Sequence, residues 1–389
     1  LITCLGTDPS LPCALLLAHQ DVVPVVPGTE KDWLHDAFAG DLDETFIWGR
    51  GALDIKDMLM GELEALEYLL ARGDRPRRTV VLAFGADEET ASAGATKLAA
   101  ILEERGVRAE WLLDEGTTTM FDGALWGAPG RVLTDVCISQ KGYLDLRLDA
   151  HGEGGHSSNP FGGTSLERLS VAISHLVESR PAPELTPIVR DTFRALAPHI
   201  TEEPLRTLVQ DVDANAEKIA SLAAARRGLY PFVVTTMAVD MLEGGSAAPN
   251  VMPGDASATI NYRLLPGTTA DDVLAWVEGA LDGTGVTATA VHYTPAGRMD
   301  STSGAGYAEV SEALEHYYPD VDVVPSFVCG GTDAIRYEAV CDSILRVIPF
   351  RPTPEEEATG VHGVNERISR RTYAQGIRVL VRLLERTVL

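Results

Sequence analysis

Three short apolar runs constrain this chain most. They are Leu15–Ala18 in CALLLAHQDVVPV, Thr79–Phe84 in TVVLAFGADEE, and Trp111–Leu113 in WLLDEG. Each reads as a buried strand, and each runs directly into histidine or acids. Between them, Ile55–Ala71 and Ala93–Glu104 carry helical periodicity and good helix formers. Strands alternating with helices specify an α/β unit with a mostly parallel sheet. Ligand sites in such sheets lie outside the carboxyl ends of the strands. His19-Gln20-Asp21, Asp87-Glu88-Glu89 and Asp114-Glu115 therefore fall on one edge. Asp54 joins them from WGRGALDIKD, just ahead of a helix. His362 lies in the glycine-flanked stretch GVHGVNER.

The pattern changes near Gln140. KGYLDLRLDAHG alternates apolar and polar residues, as a strand with one wet face does. Leu166–Glu178 and Ala270–Leu281 read as helices, and Phe232–Val239, Ala256–Leu264 and Val286–Tyr293 as strands. After Gly297 helix and strand alternate again, closing with an amphipathic helix over Arg371–Glu385. The expected architecture is one α/β domain built from 1–139 and 297–389, interrupted by a smaller α+β domain over 140–296. A chain of 389 residues is long enough for both.

A net charge of −25 argues against nucleic acid and anionic membranes as partners. No apolar run reaches the length of a membrane span. Cys4, Cys13, Cys137, Cys329 and Cys341 are scattered and odd in number, so no disulfide framework is expected. That usage fits a reducing compartment, and the expected location is cytoplasmic. The chain starts with Leu1 only a dozen residues before a core strand, which reads as an incomplete N-terminus.

Two imidazoles and several carboxylates, with no thiolate, suit zinc, manganese or cobalt. A two-metal centre needs a bridging carboxylate and a free carboxylate beside a bridging water. Glu88 and Glu89 can divide those tasks between them, because adjacent side chains point different ways. His19 would bind metal, and Asp21, two residues on along an extended segment, would accept the other ring N–H. Taken singly, each feature has a plainer reading: a polar rim, surface charge, an N-cap at Asp54, a loop histidine at 362. Their order along the chain and their place at strand ends favour the metal.

These stretches, with GEGGHSSNP, PNVMPGDASATINYRLLPG, CGGTDA and GVHGVNERIS, resemble the M20 metallopeptidases over nearly the whole chain. The branch they resemble holds carboxypeptidase S, Gly-Xaa carboxypeptidases and N-acyl-amino-acid hydrolases. The resemblance implies a zinc-peptidase-like catalytic domain with a lid and dimerisation domain over 140–296, and a homodimer. It implies two zinc ions per subunit, with cobalt or manganese as alternatives. His19 and Asp114 would bind one ion, with Glu115 as the alternative to Asp114. Glu89 and His362 would bind the other, and Asp54 would bridge. Glu88 would be the general base and Asp21 would support His19. His156 would polarise the scissile carbonyl in a neighbouring subunit's site. Asn250 and Arg263 would hold the substrate's carboxylate, a task that suits a guanidinium fork. Gly331 and Thr332 would line the substrate pocket. Three positions depart from the family pattern: Ile55 follows the bridging acid, Gln140 stands where Glu is common, and Ile335 where a basic residue is common. The implied activity is cleavage of an amide beside a free carboxylate, on a small peptide or an N-acyl amino acid. A deacetylase or deacylase of amino-acid metabolism shares this site, and a silent metal- or peptide-binding homologue is the non-enzymatic alternative.

Overall fold

The computed structural model describes residues 1–116 and 120–389. They form two compact units: 1–139, 191–206 and 298–389 in the first, 140–190 and 207–297 in the second. The segment 191–206, inside the expected insert, thus belongs to the first unit. Its apolar and hydroxyl groups explain this. Phe193 packs edge-on against Trp126 at 5.3 Å, and the Thr192 hydroxyl donates to the Pro325 carbonyl at 2.6 Å.

The first unit is built on an eight-stranded mixed sheet. Its path runs Ile2–Cys4, Val80–Gly85, Cys13–His19, Ala109–Asp114, Ile344–Arg346, Val132–Gln140, Val321–Val328, with Phe121–Asp122 paired to Val132–Gln140. The four strands from Val80–Gly85 to Ile344–Arg346 are parallel. Ile2–Cys4 on one side and Val132–Gln140 on the other run antiparallel to them. Every residue of Cys13–His19 is buried, which is why the strand reads as an unbroken apolar run rather than an alternating one. Helix Lys56–Arg72 packs against helix Arg370–Thr387 on one face. Gly61 admits that approach: a Cβ there would lie 3.2 Å from Leu380 Cδ1 of the second helix.

The second unit carries an antiparallel sheet in the order Thr236–Gly244, Asp255–Leu264, Gly142–His151, Val286–Thr294. Leu144, Leu146, Leu148 and Ala150 point from one face into a core shared with helices Ser165–Glu178 and Ala270–Leu281. Capping boxes at Thr164 with Glu167 and at Thr269 with Asp272 fix where both helices start. A separate two-stranded ribbon pairs Gly155–His156 with Val251–Met252.

Most local expectations hold, and helices Ala93–Glu104 and Ala270–Leu281 have the bounds read from sequence. Phe232–Val239 differs. Tyr230–Val233 is a single helical turn and the strand starts at Thr236. Pro231 opens that turn, where its missing N–H costs nothing. Strand Val132–Gln140 was not legible because Thr134, Asp135 and Ser139 are buried in it and break the apolar signal.

Candidate metal centre

The parallel register aligns the strand ends. His19 pairs with Gly85, Leu16 with Leu113, and Arg346 with Asp114. The edge therefore gathers His19, the loop after Gly85 and the Asp114-Glu115 turn.

His19 is buried, and its ring is held from both sides. Nδ1 donates to the backbone carbonyl of Asp21 at 3.0 Å, and the Asp21 carboxylate lies 3.5 Å from the same nitrogen. Nε2 lies 3.0 Å from Asp54 Oδ1 and 3.8 Å from Glu115 Oε1. The other Asp54 oxygen, Oδ2, is 2.9 Å from His362 Nε2, which is in turn 3.4 Å from Glu89 Oε1. Two clusters result, His19–Asp54–Glu115 and Asp54–Glu89–His362, sharing one carboxylate.

The Asp21 carboxylate has another task. Its two oxygens accept the backbone N–H groups of Glu88 and Glu89, at 3.2 and 3.1 Å. One residue thus orients His19 through its carbonyl and the glutamate loop through its side chain. Asp87, the first acid of that loop, turns away. Its carboxylate accepts from Ala93 N at 3.0 Å and Gly94 N at 2.7 Å, at the start of helix Ala93–Glu104.

Asp114 is not in either cluster. Its Oδ2 accepts from Ala334 N at 2.8 Å, and the Thr332 hydroxyl and the buried Arg346 guanidinium also face it. Those partners pull Asp114 into the CGGTDA turn and leave Glu115 toward His19. Thr332 is accordingly buried and engaged with Asp114, while Gly331 is exposed.

Sequence reasoning gave no role to Arg50 and Glu366, which frame the site. Glu366 is fully buried and accepts from Gly51 N at 3.0 Å, from Leu53 N at 2.9 Å and from the Arg50 guanidinium. Arg50 also donates to the His362 carbonyl at 3.0 Å. Together they fix the turn that delivers Asp54 and the loop that delivers His362. The signal was present: GRG precedes ALD, and VNE follows VHG. His362 itself sits at φ 65°, and a Cβ on Gly363 would overlap the Thr359 carbonyl oxygen at 1.7 Å.

The electrostatics match the geometry. Burial opposes charge on His19, but its hydrogen bond to Asp54 and that carboxylate's charge push it up to about 9. Burial raises Asp54 too, yet His19 and His362 hold it below the usual range. Burial, with Asp333, Asp114 and Glu89 nearby, pushes Glu88 up to about 8. Burial first, then Asp114 and Asp54, raises Glu115 well above its ordinary value. Acids crowded this closely repel one another, and Glu89 Oε1 is buried without a hydrogen-bond partner. Oxygen and imidazole donors with one shared carboxylate fit a pair of divalent cations, which would relieve both faults.

The remaining expected residues lie in the second unit. His156 is exposed on the ribbon beside Val251, and its Nδ1 accepts from Ser158 N at 3.1 Å. Asn250 precedes Val251, and its carbonyl accepts from Ser157 N at 3.0 Å. Arg263 donates to the Asn261 side-chain carbonyl at 3.1 Å and lies 4.5 Å over the Tyr143 ring. His151 bonds Asp255 at 2.7 Å on the surface.

The profile of Peptidase family M20/M25/M40 matches residues 15–386. An N-fatty-acyl-amino acid synthase/hydrolase of Mus musculus is 33% identical over 392 residues, spanning 99% of this chain and 76% of that protein. A probable carboxypeptidase S-like 2 of Dictyostelium discoideum is 30% identical over 388 residues, spanning 98% of this chain and 73% of that protein. Among solved structures, an M20 family metallo-carboxypeptidase of Sulfolobus solfataricus superposes with a TM-score of 0.68 at 21% identity, over 99% of this chain and 86% of that one.

Proposed function

Because this chain belongs to the M20/M25/M40 family of metallopeptidases and related hydrolases, we propose that it is a two-zinc amidohydrolase acting beside a free carboxylate. Its substrates would be N-acyl amino acids or small peptides; one relative is named for N-fatty-acyl-amino acids and another as a probable carboxypeptidase. The observation that carries this reading is the pair of donor clusters joined at Asp54. His19, Asp54 and Glu115 would hold one ion; Asp54, Glu89 and His362 the other. Glu115 replaces Asp114 in this assignment, since Asp114 is committed to Ala334, Thr332 and Arg346. Cobalt or manganese suit the same donors. When bound, such ions supply Lewis-acid chemistry, acidifying a water and polarising a carbonyl.

The chain's own groups then divide the work. Glu88 takes a proton from the attacking water and delivers it to the leaving amine nitrogen. Its raised affinity for protons suits that double role. Asp21 holds the Glu88 and Glu89 backbone so that neighbouring carboxylates keep separate tasks. Arg263 and Asn250 would grip the substrate carboxylate, and the partner subunit's His156 would stabilise the oxyanion in a homodimer. The second unit would then serve as the lid and dimerisation domain.

The deciding experiment measures hydrolysis of dipeptides, short- and long-chain N-acyl amino acids and their carboxyl-amidated forms, with and without zinc. Zinc-dependent cleavage, lost in Glu88→Ala and on amidation, is expected. Equal cleavage of amidated substrates would remove the role of Arg263. Turnover undiminished in Glu88→Ala would end the base assignment.

A further inference from the structure

A cavity of about 260 Å³ opens in the first unit, lined mainly by apolar side chains. Leu53 and Val361 lie at one side of it. Each directly precedes a member of the donor clusters, Asp54 and His362, which are bonded to each other at 2.9 Å. The cavity therefore meets, at two points, the chain segments that carry donors. Met120 and Phe350, both buried, lie deeper, and Ile348 lines the wall. Half-exposed Val361 leaves an open rim.

Its charges give it a polarity. The ionisable side chains among the described lining residues are Asp57 and Glu357, and no Lys or Arg lines it. With no cation to pair it there, the carboxylate end of an N-acyl amino acid would lose its water at a cost, which leaves the acyl end as the part such a cavity can take. One Asp57 oxygen already accepts the Met58 N–H at 2.8 Å. Building on the hydrolase reading above, we propose that this cavity is the acyl subsite and selects an unbranched fatty chain by its length.

Zinc-loaded protein is titrated with saturated fatty acids of increasing length, displacing a fluorescent decanoic acid. Affinity is expected to rise about fourfold per methylene until the cavity is full, then level off. Ile348→Trp should move the plateau to shorter chains and Ile348→Ala to longer ones, whereas a folding defect would move both the same way. Affinity indifferent to length, plateaus unmoved by both variants, or tighter binding of an ω-amino chain beside Asp57 would each overturn the proposal. Hydrolysis of the N-acyl-amino-acid series is run in parallel. Length-ordered binding without turnover leaves the cavity assignment standing and removes the hydrolase reading. Cleavage without length-ordered binding does the reverse.

Discussion

The donor clusters of the first unit and the exposed His156 and Asn250, with half-buried Arg263, of the second are held in different ways. Around the clusters every group is tied at its base. His19 ends a fully buried strand, Glu88 and Glu89 hang from the Asp21 carboxylate, and Glu366 with Arg50 fixes the turns before Asp54 and at His362. In the second unit, His156 and Asn250 stand on a two-residue ribbon, and the Asn250 amide makes no hydrogen bond among the described residues. Arg263 is steadied through Asn261 and Tyr143 and, among the described residues, keeps donors to spare. Two ions bind well only where repelling acids are forced together, which demands a rigid sheet. The proposed substrate grip of His156, Asn250 and Arg263 asks for less, because groups of that kind can stay open until a ligand arrives.

The sharpest way to break this contrast is Glu88→Gln. It should lower kcat by about two to four orders of magnitude while zinc content by elemental analysis stays unchanged. If zinc is lost as well, Glu88 belongs to the metal-holding set instead. Leu148→Ala empties part of the second unit's core and should cost about 2–5 kcal/mol in chemical denaturation. The zinc isotherm should not move, and a weakened one would mean that the clusters depend on that core. Arg263→Ala should reduce kcat/KM about ten- to a hundredfold for substrates with a free carboxylate, with little change for amidated ones. Equal losses on both would assign Arg263 to folding. The smallest contrast lies inside the centre. Calorimetry should find that Glu115→Gln removes one of the two zinc sites, whereas Asp114→Asn weakens zinc about tenfold, as a supporting group does. The opposite ranking would return the ligand role to Asp114.

How much of this was legible in the sequence follows from how local each signal is. Leu15–Ala18, Thr79–Phe84 and Trp111–Leu113 announced themselves, because a buried parallel strand is a continuous apolar run. Edge elements did not: Ile2–Cys4 is three residues long and largely exposed. Arg50 and Glu366 stand in legible motifs, but their pairing did not show because they are 316 positions apart. The cavity was equally hidden, since Leu53, Met120, Ile348 and Val361 come from four separate segments.

By itself the sequence determined which segments carry the chemistry, because strand period and the residues that follow each strand are properties of neighbours along the chain. Only the tertiary structure decided which acid of each adjacent group faces inward. Asp87 turns to a helix start, while Glu88 and Glu89 hang from Asp21. Asp114 turns to a loop 220 residues away, leaving Glu115 beside His19. Neighbouring carboxylates are chemically alike, so the choice between them falls to the distant backbone N–H groups that reach one and not the other.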